Sequence, residues 1–193
     1  MDNLILASSS LRRLELLRSI GYKPDQVIHP EVDETPLKKE LPNRYVKRIA
    51  HKKGLKVSQK FPTSVVISAD TIVTRARMII TKPKDIIDAK KILKMLSGRR
   101  HLVYTGVCVM NQGNVIETVV ETKVKFKLLT DFEIDNLIES EEWRGKAGGY
   151  ALQGLAGMYI KWIRGHPSNV IGLPVHETYK ILSGMGKIQQ RFK

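Results

Sequence analysis

Ser8, Arg12 and Arg13 follow directly on the apolar run Leu4-Ile5-Leu6-Ala7, and these residue types in this order suit an anion site. A short apolar run reads as a strand, and Ser8-Ser9-Ser10 stands where the N-cap of a following helix belongs. Arginines in a first helical turn sit at the positive end of the helix dipole, a misplacement of about 0.3–1 kcal/mol per charge in an isolated helix. An anion bound where backbone N–H groups, serine hydroxyls and guanidinium groups converge removes that cost. A plain serine cap with two solvated arginines is the alternative; the agreement of charge, cap and strand–turn–helix context favours the anion.

Asp70 closes the continuous apolar run Val65-Val66-Ile67-Ser68-Ala69 and precedes Thr71. Strand ends are where α/β folds place catalytic groups, and an ionised carboxylate there needs a metal, a basic partner or water. An aspartate capping its own turn is as common. Asp33-Glu34, in a segment bounded by Pro30 and Leu41, would alone be solvated loop acids. Together with Asp70 they can hold a hard divalent cation such as Mg²⁺, which takes a few carboxylates along with waters and phosphate oxygens. Lys82, in Thr81-Lys82-Pro83, and Lys146, in Gly145-Lys146-Ala147-Gly148-Gly149, lie on turns open to a ligand. Lys53 on its own reads as a surface lysine of a helix. Gln153, before Gly154, either pairs with a base edge or braces its turn. Taken together these groups suit a polyphosphate ester bound through a metal. Water would then attack phosphorus, with positioning and electrostatics supplying the catalysis.

Alternating helices and strands must carry these residues. The spacing predicts a helix from Ser10 to Ile20 closed by Gly21, and a short strand from Gln26 to His29. A second helix opens at Pro42 or Asn43 and is stopped by Phe61-Pro62. A strand buried on both faces covers Val65 to Ala69 and runs into Asp70. A helix from Asp85 to Met95 is capped by Asp85 and closed by Ser97-Gly98. Two strands, Leu102–Met110 and Val115–Lys127, follow. The second alternates Val120, Thr122, Val124 and Phe126 with Glu121, Lys123, Lys125 and Lys127. Thr130 and Glu133 form a capping box for another helix, Met158–Ile163 reads as a strand, and Pro174 precedes a last helix over Val175–Leu182. The pattern is that of a mixed-sheet α/β domain.

At 193 residues with 42% apolar content the chain suits a single domain with a full core. A net charge of +14 attracts polyanions, nucleotides among them. The basic residues are dispersed, and aromatic residues make up only 6%, which argues against a nucleic-acid stacking platform. No apolar run approaches the ~20 residues that span a bilayer. The opening run lacks a basic flank, so it does not read as a signal peptide. Cys108, the single cysteine, lies in an apolar strand as a small buried hydrophobe, and the five histidines lack metal-ligand spacing. A reduced, cytoplasmic setting is expected.

The same residues, in order, resemble the Maf family of nucleoside triphosphate pyrophosphatases, also called septum-formation inhibitors, along essentially the whole chain. The resemblance rests on Ser8-Ser9-Ser10-Leu11-Arg12-Arg13, Val32-Asp33-Glu34, Ile49-Ala50-His51-Lys52-Lys53-Gly54, Ser68-Ala69-Asp70-Thr71 and Lys82-Pro83. Leu96-Ser97-Gly98-Arg99, Lys146-Ala147-Gly148-Gly149-Tyr150 and Ser168-Asn169-Val170-Ile171-Gly172-Leu173-Pro174 extend it. It implies one domain over residues 1–193, an α/β fold with a two-lobed, mixed twisted sheet flanked by helices. That fold is like that of inosine triphosphate pyrophosphatases, with the nucleotide in a cleft between lobes. It implies hydrolysis of a nucleoside triphosphate to monophosphate and pyrophosphate with Mg²⁺, or with Mn²⁺ or Co²⁺ in its place. Carried over, Asp70 is the general base or a metal ligand and Glu34 helps hold the metal. Ser8, Arg12, Arg13, Lys53 and Lys82 hold the triphosphate. Arg12, Thr71, Lys82 and Gln153 fit the branch that prefers dTTP and UTP, with modified pyrimidine nucleotides as further candidates. The resemblance also implies a house-cleaning role and a homodimer. A regulator of cell division that binds nucleotide or nucleic acid without turnover is the alternative. Leu11, Ser68, Thr81, Gly145 and His166-Pro167 depart from the family pattern, and none of these replaces a proposed catalytic group.

Overall fold

The structure, a computed structural model, describes residues 3–186; the outermost residues of the expected 1–193 domain lie outside this range. A seven-stranded mixed sheet runs in the order β2-β1-β3-β5-β6-β7, with β4 paired to β3. Helices flank it. The chain groups into two compact units: one takes residues up to Asp70, Thr105–Val120 and the chain from Gly172, the other Thr71–Tyr104 and Glu121–Ile171.

In the first unit β1 (Leu4–Ala7) lies parallel to β2 (Gln26–Ile28) and to β3 (Val65–Arg75), with Leu6 opposite both Val27 and Ile67. All four residues of β1 are buried, as a central parallel strand covered on both faces requires. Leu4, Leu6, Val65, Ile67 and Ala69 pack with Leu17 of α1 (Leu11–Ser19) and Leu182 of α6 (Val175–Gly184), while Ile5, Ala7 and Val66 pack with Val57 of α2 (Pro42–Ser58). The α1 helix ends as its sequence indicates. Gly21 adopts φ 79°, donates its N–H to Arg18, and Tyr22 donates to Leu17. Its start differs from expectation: Ser10 is the N-cap residue, but its hydroxyl makes no capping bond.

α2 lies unusually close to β5 (Arg100–Asn111). A Cβ at Gly106 would stand 2.4 Å from the Val46 carbonyl oxygen and 2.9 Å from the Lys47 nitrogen, so backbone touches backbone and only glycine fits.

In the second unit β3 continues to Arg75 and pairs antiparallel with β4 (Met78–Ile80), and β6 (Asn114–Phe126) pairs antiparallel with β7 (Ile160–Arg164). The expected alternation along β6 holds, with Thr122, Val124 and Phe126 buried and Glu121 and Lys123 exposed. α3 (Ile86–Leu96) is capped by the Asp85 side chain, which accepts from the Asp88 N–H. α4 (Asp131–Glu139) carries the predicted capping box of Thr130 and Glu133. These helices cover a core of Leu93, Leu96, Phe126, Ile134, Leu137 and Trp143. The strand expected from Met158 starts later, at Ile160, because Leu155–Tyr159 forms a 3₁₀ turn. A short helix, α5 (Pro167–Ile171), was not anticipated from the sequence.

Candidate functional site

Asp70, at the last residue of β3 inside the first unit, is only 5% exposed. Lys53, from the buried face of α2, places Nζ 2.7 Å from Asp70 Oδ1 and 2.7 Å from Glu34 Oε1. Two carboxylates thus converge on one ammonium. Burial pushes the Asp70 carboxyl above its ordinary range, while Lys53 and Arg13 pull it back toward ionisation.

Arg13 shares this environment. Its Nε donates to the Gly172 carbonyl at 2.8 Å and its Nη1 to Ser8 Oγ at 3.2 Å. Burial lowers its pKa, Asp70 and Glu34 work the other way, and Arg12 adds to the lowering. Ser8 is buried and also accepts from the Ser10 N–H at 3.2 Å. The serine that organises the helix start is therefore Ser8, two residues ahead of the N-cap, and it braces Arg13. Arg12 is half-buried on the same turn, its pKa lowered by burial and raised by Glu15. The guanidinium at the positive helix end is thus fixed in place, not a loose surface charge.

Glu34 belongs to a stretch with no regular structure, and α2 holds that stretch with four side chains. Tyr45 Oη donates to the Glu34 carbonyl at 2.7 Å, and Arg48 makes two 2.6 Å bonds to Glu40 while reaching the Thr35 carbonyl at 3.1 Å. Lys56 donates to the Glu31 carbonyl, and Lys53 holds the Glu34 carboxylate itself. These positions recur at helical spacing along one side of α2. The adjacent Asp33 instead accepts from the Thr35 N–H at 2.9 Å, bonds that hold its carboxyl below the usual range. The structure thus separates the acidic pair, with Glu34 taken to Lys53 and Asp33 left as a turn former.

Lys53, read in isolation as a surface residue, is the buried hub of this set. Tyr45 joins this set although the sequence marks it with nothing more than a hydroxyl among the helix's apolar positions. The oxygen donors of Asp70 and Glu34, already spaced to share one cation, suit a hard divalent ion.

The remaining candidates belong to the second unit. Thr71 is half-buried on β3, directly after Asp70. Lys82 is exposed beyond β4, beside the buried Pro83, whose ring would stand 3.1 Å from a Cβ at Gly149. Gln153 is exposed on a turn braced by Glu142, whose carboxylate accepts from the Leu155 N–H at 3.0 and 3.2 Å. Lys146 is half-buried and precedes the 3₁₀ turn Ala147–Gly149.

The fold is of the Ham1 type: the Ham1 protein of Staphylococcus aureus superposes with a TM-score of 0.54 at 13% identity, covering 94% of this chain and 98% of that one. Sequence similarity places it more narrowly. The Maf-like protein family matches residues 3–185, and the chain belongs to that family. A dTTP/UTP pyrophosphatase of Wolbachia pipientis subsp. Culex pipiens is 48% identical over 186 residues, covering 95% of this chain and 94% of the relative. One from Sphingopyxis alaskensis is 48% identical over 187 residues, covering 96% and 98%. A nucleoside triphosphate pyrophosphatase of Anaplasma phagocytophilum is 47% identical over 189 residues, covering 97% and 98%.

Proposed function

We propose that this protein hydrolyses nucleoside triphosphates, dTTP and UTP foremost, to the monophosphate and pyrophosphate. The reading is carried by the buried Asp70 carboxylate held beside Lys53 and Arg13. Its support beyond the site is the family and the names its relatives bear at 47–48% identity.

Water attacks the α-phosphorus, the bond to the bridging oxygen of the β-phosphate breaks, and pyrophosphate leaves. Asp70 takes the proton of the attacking water or orients it. Its raised affinity for protons suits a base better than an ordinary solvated carboxylate would. Arg13, Arg12 and Ser8 bind phosphate oxygens at the start of α1, where backbone N–H groups add to the attraction. Lys53 keeps Asp70 and Glu34 apart from each other's charge and neutralises the phosphates as they arrive. Asp70 and Glu34 would hold a divalent cation such as Mg²⁺, with Mn²⁺ or Co²⁺ as substitutes, which would offset the triphosphate charge and make the water more acidic. Arg12, Thr71, Lys82 and Gln153 select the pyrimidine nucleotide. The same reading makes the protein a cytoplasmic house-cleaning enzyme that removes unwanted nucleotides, working as a homodimer.

The test is to incubate the purified protein with Mg²⁺ and each common nucleoside triphosphate and quantify pyrophosphate and monophosphate. Pyrophosphate released fastest from dTTP and UTP is the expected result. Folded protein that binds these nucleotides yet releases no pyrophosphate would establish the non-catalytic regulator in its place. Faster release from a purine nucleotide would keep the reaction and overturn the base assignment.

A further inference from the structure

His51 of α2, Cys108 of β5 and Glu117 of β6 meet inside the first unit, apart from the Asp70 set. An imidazole nitrogen, the thiol sulfur and a carboxylate oxygen all lie within 4.8 Å of one another. His51 Nδ1 is 3.0 Å from Glu117 Oε1, and Lys47 Nζ is 3.2 Å from Glu117 Oε2. Cys108 is fully buried, whereas the His51 and Glu117 side chains are 41% and 19% exposed. The thiol therefore forms the floor of the cluster and the imidazole its rim.

We propose that His51, Cys108 and Glu117 form a binding site for one borderline divalent transition-metal ion, Zn²⁺ by its chemistry. A thiolate and an imidazole select Zn²⁺ or Co²⁺ over Mg²⁺, which prefers carboxylate and water oxygens. Three protein ligands of mixed N, S and O type with one open side leave room for a water as fourth ligand. Metal–nitrogen and metal–sulfur bonds of about 2.0 and 2.3 Å in a tetrahedron put ligand atoms roughly 3.3–3.6 Å apart. The His51–Glu117 spacing of 3.0 Å is close to this, and contraction of the wider spacings within the 4.8 Å limit completes the set. Lys47 stays on the second carboxylate oxygen, so Glu117 serves both cations.

Burial and the charge of Glu117 push the Cys108 thiol up to about 12, so without metal it is neutral. On binding, the S–H bond breaks, a sulfur–metal bond forms and the proton leaves to solvent; nothing is oxidised. The ion would fasten α2 to β5 and β6, two residues from Lys53 along the same helix.

Titration of the purified full chain with Co²⁺ tests this. One ion per chain should give a near-ultraviolet thiolate-to-cobalt band and the intense visible bands of tetrahedral cobalt, both bleached by Zn²⁺. Cys108→Ser should abolish the thiolate band. Because Cys108 lies in the core, His51→Gln at the exposed rim serves as the second variant and should weaken binding by at least about tenfold. Asp70→Asn should leave the band intact, which separates this site from the triphosphate cation. Absence of a thiolate band in folded protein with Co²⁺ in large excess would overturn the proposal. So would a band unchanged by both His51→Gln and Glu117→Gln.

Discussion

Both units bury neutral polar side chains, but among the described residues only the first also buries an ion pair. The first buries the Lys53–Asp70 pair, with Arg13 sharing its environment, alongside Ser8, Ser64, Ser68, Thr105 and Thr178. In the second, the buried polar residues are Thr74, His101, Thr122, Ser168 and Asn169, none of them charged at neutral pH. His101 Nε2 meets the Tyr150 hydroxyl at 2.8 Å, and its ring and those of Phe126 and Tyr150 meet tilted or edge-to-face at 5.0–5.5 Å. Asn169 donates to the Val103 carbonyl at 3.2 Å and to Thr122 Oγ1 at 3.0 Å. Neutral groups are cheaper to bury, even where one atom such as His101 Nδ1 lacks a hydrogen-bond partner. Buried ions cost several kcal/mol each to desolvate, and their mutual attraction at best offsets that. A fold that needed only stability would have little reason to keep them, which is what the proposed function expects of a working cluster.

The hardest test of that contrast is Asp70→Asn. It should lower turnover by about 10³-fold while nucleotide binding persists, within the range for loss of a general base. A variant that keeps its turnover would remove Asp70 from the chemistry. With Asp70 intact, kcat/KM should rise with pH through an acid limb above the ordinary aspartate range, because burial raises that pKa and the ionised form is the active one. Lys53→Met should move the limb to still higher pH, since Lys53 holds the pKa down, and should cost about 3 kcal/mol in a urea titration by leaving the carboxylates unpartnered.

The second unit should instead respond through stability. The folded His101 pKa is lowered from 6.5 to about 4 by burial, so the unfolded chain binds the extra proton first. Stability should be full above pH 6.5 and fall as pH drops toward 4, by about 3 kcal/mol in all, and His101→Gln should flatten that slope. The smallest effect expected is Thr130→Ala, about 1 kcal/mol lost with the capping box and no change in KM.

What the sequence disclosed followed the range of the interactions. The Asp85 cap and the Thr130–Glu133 box are local bonds and were legible, as was the alternation along β6. β3 was expected to end at Asp70, since polar residues after an apolar run look like a strand end; it continues to Arg75 because Ile72, Val73 and Thr74 are buried in turn and Val73–Arg75 pair with β4. Ser8, Arg12 and Arg13, proposed to bind phosphate, could be named from their order, but the bond from Arg13 to Gly172 spans 159 residues and no local pattern reports it. The histidines looked scattered for the same reason. His51 and Glu117 stand 66 residues apart, and only the packing of α2 on β5 and β6 brings them to Cys108.

That packing depends on one missing methyl group. Gly106 lets the backbone of α2 rest on the backbone of β5, so any other residue there lifts a helix that carries Tyr45, Arg48, His51 and Lys53 together. The position therefore acts as a single point of failure for inheritance. A population of randomised chains selected for activity should return glycine at 106 and almost nothing else, while the exposed Leu11 and Thr81 drift freely. A codon that never contacts substrate would then be among the least forgiving in the gene.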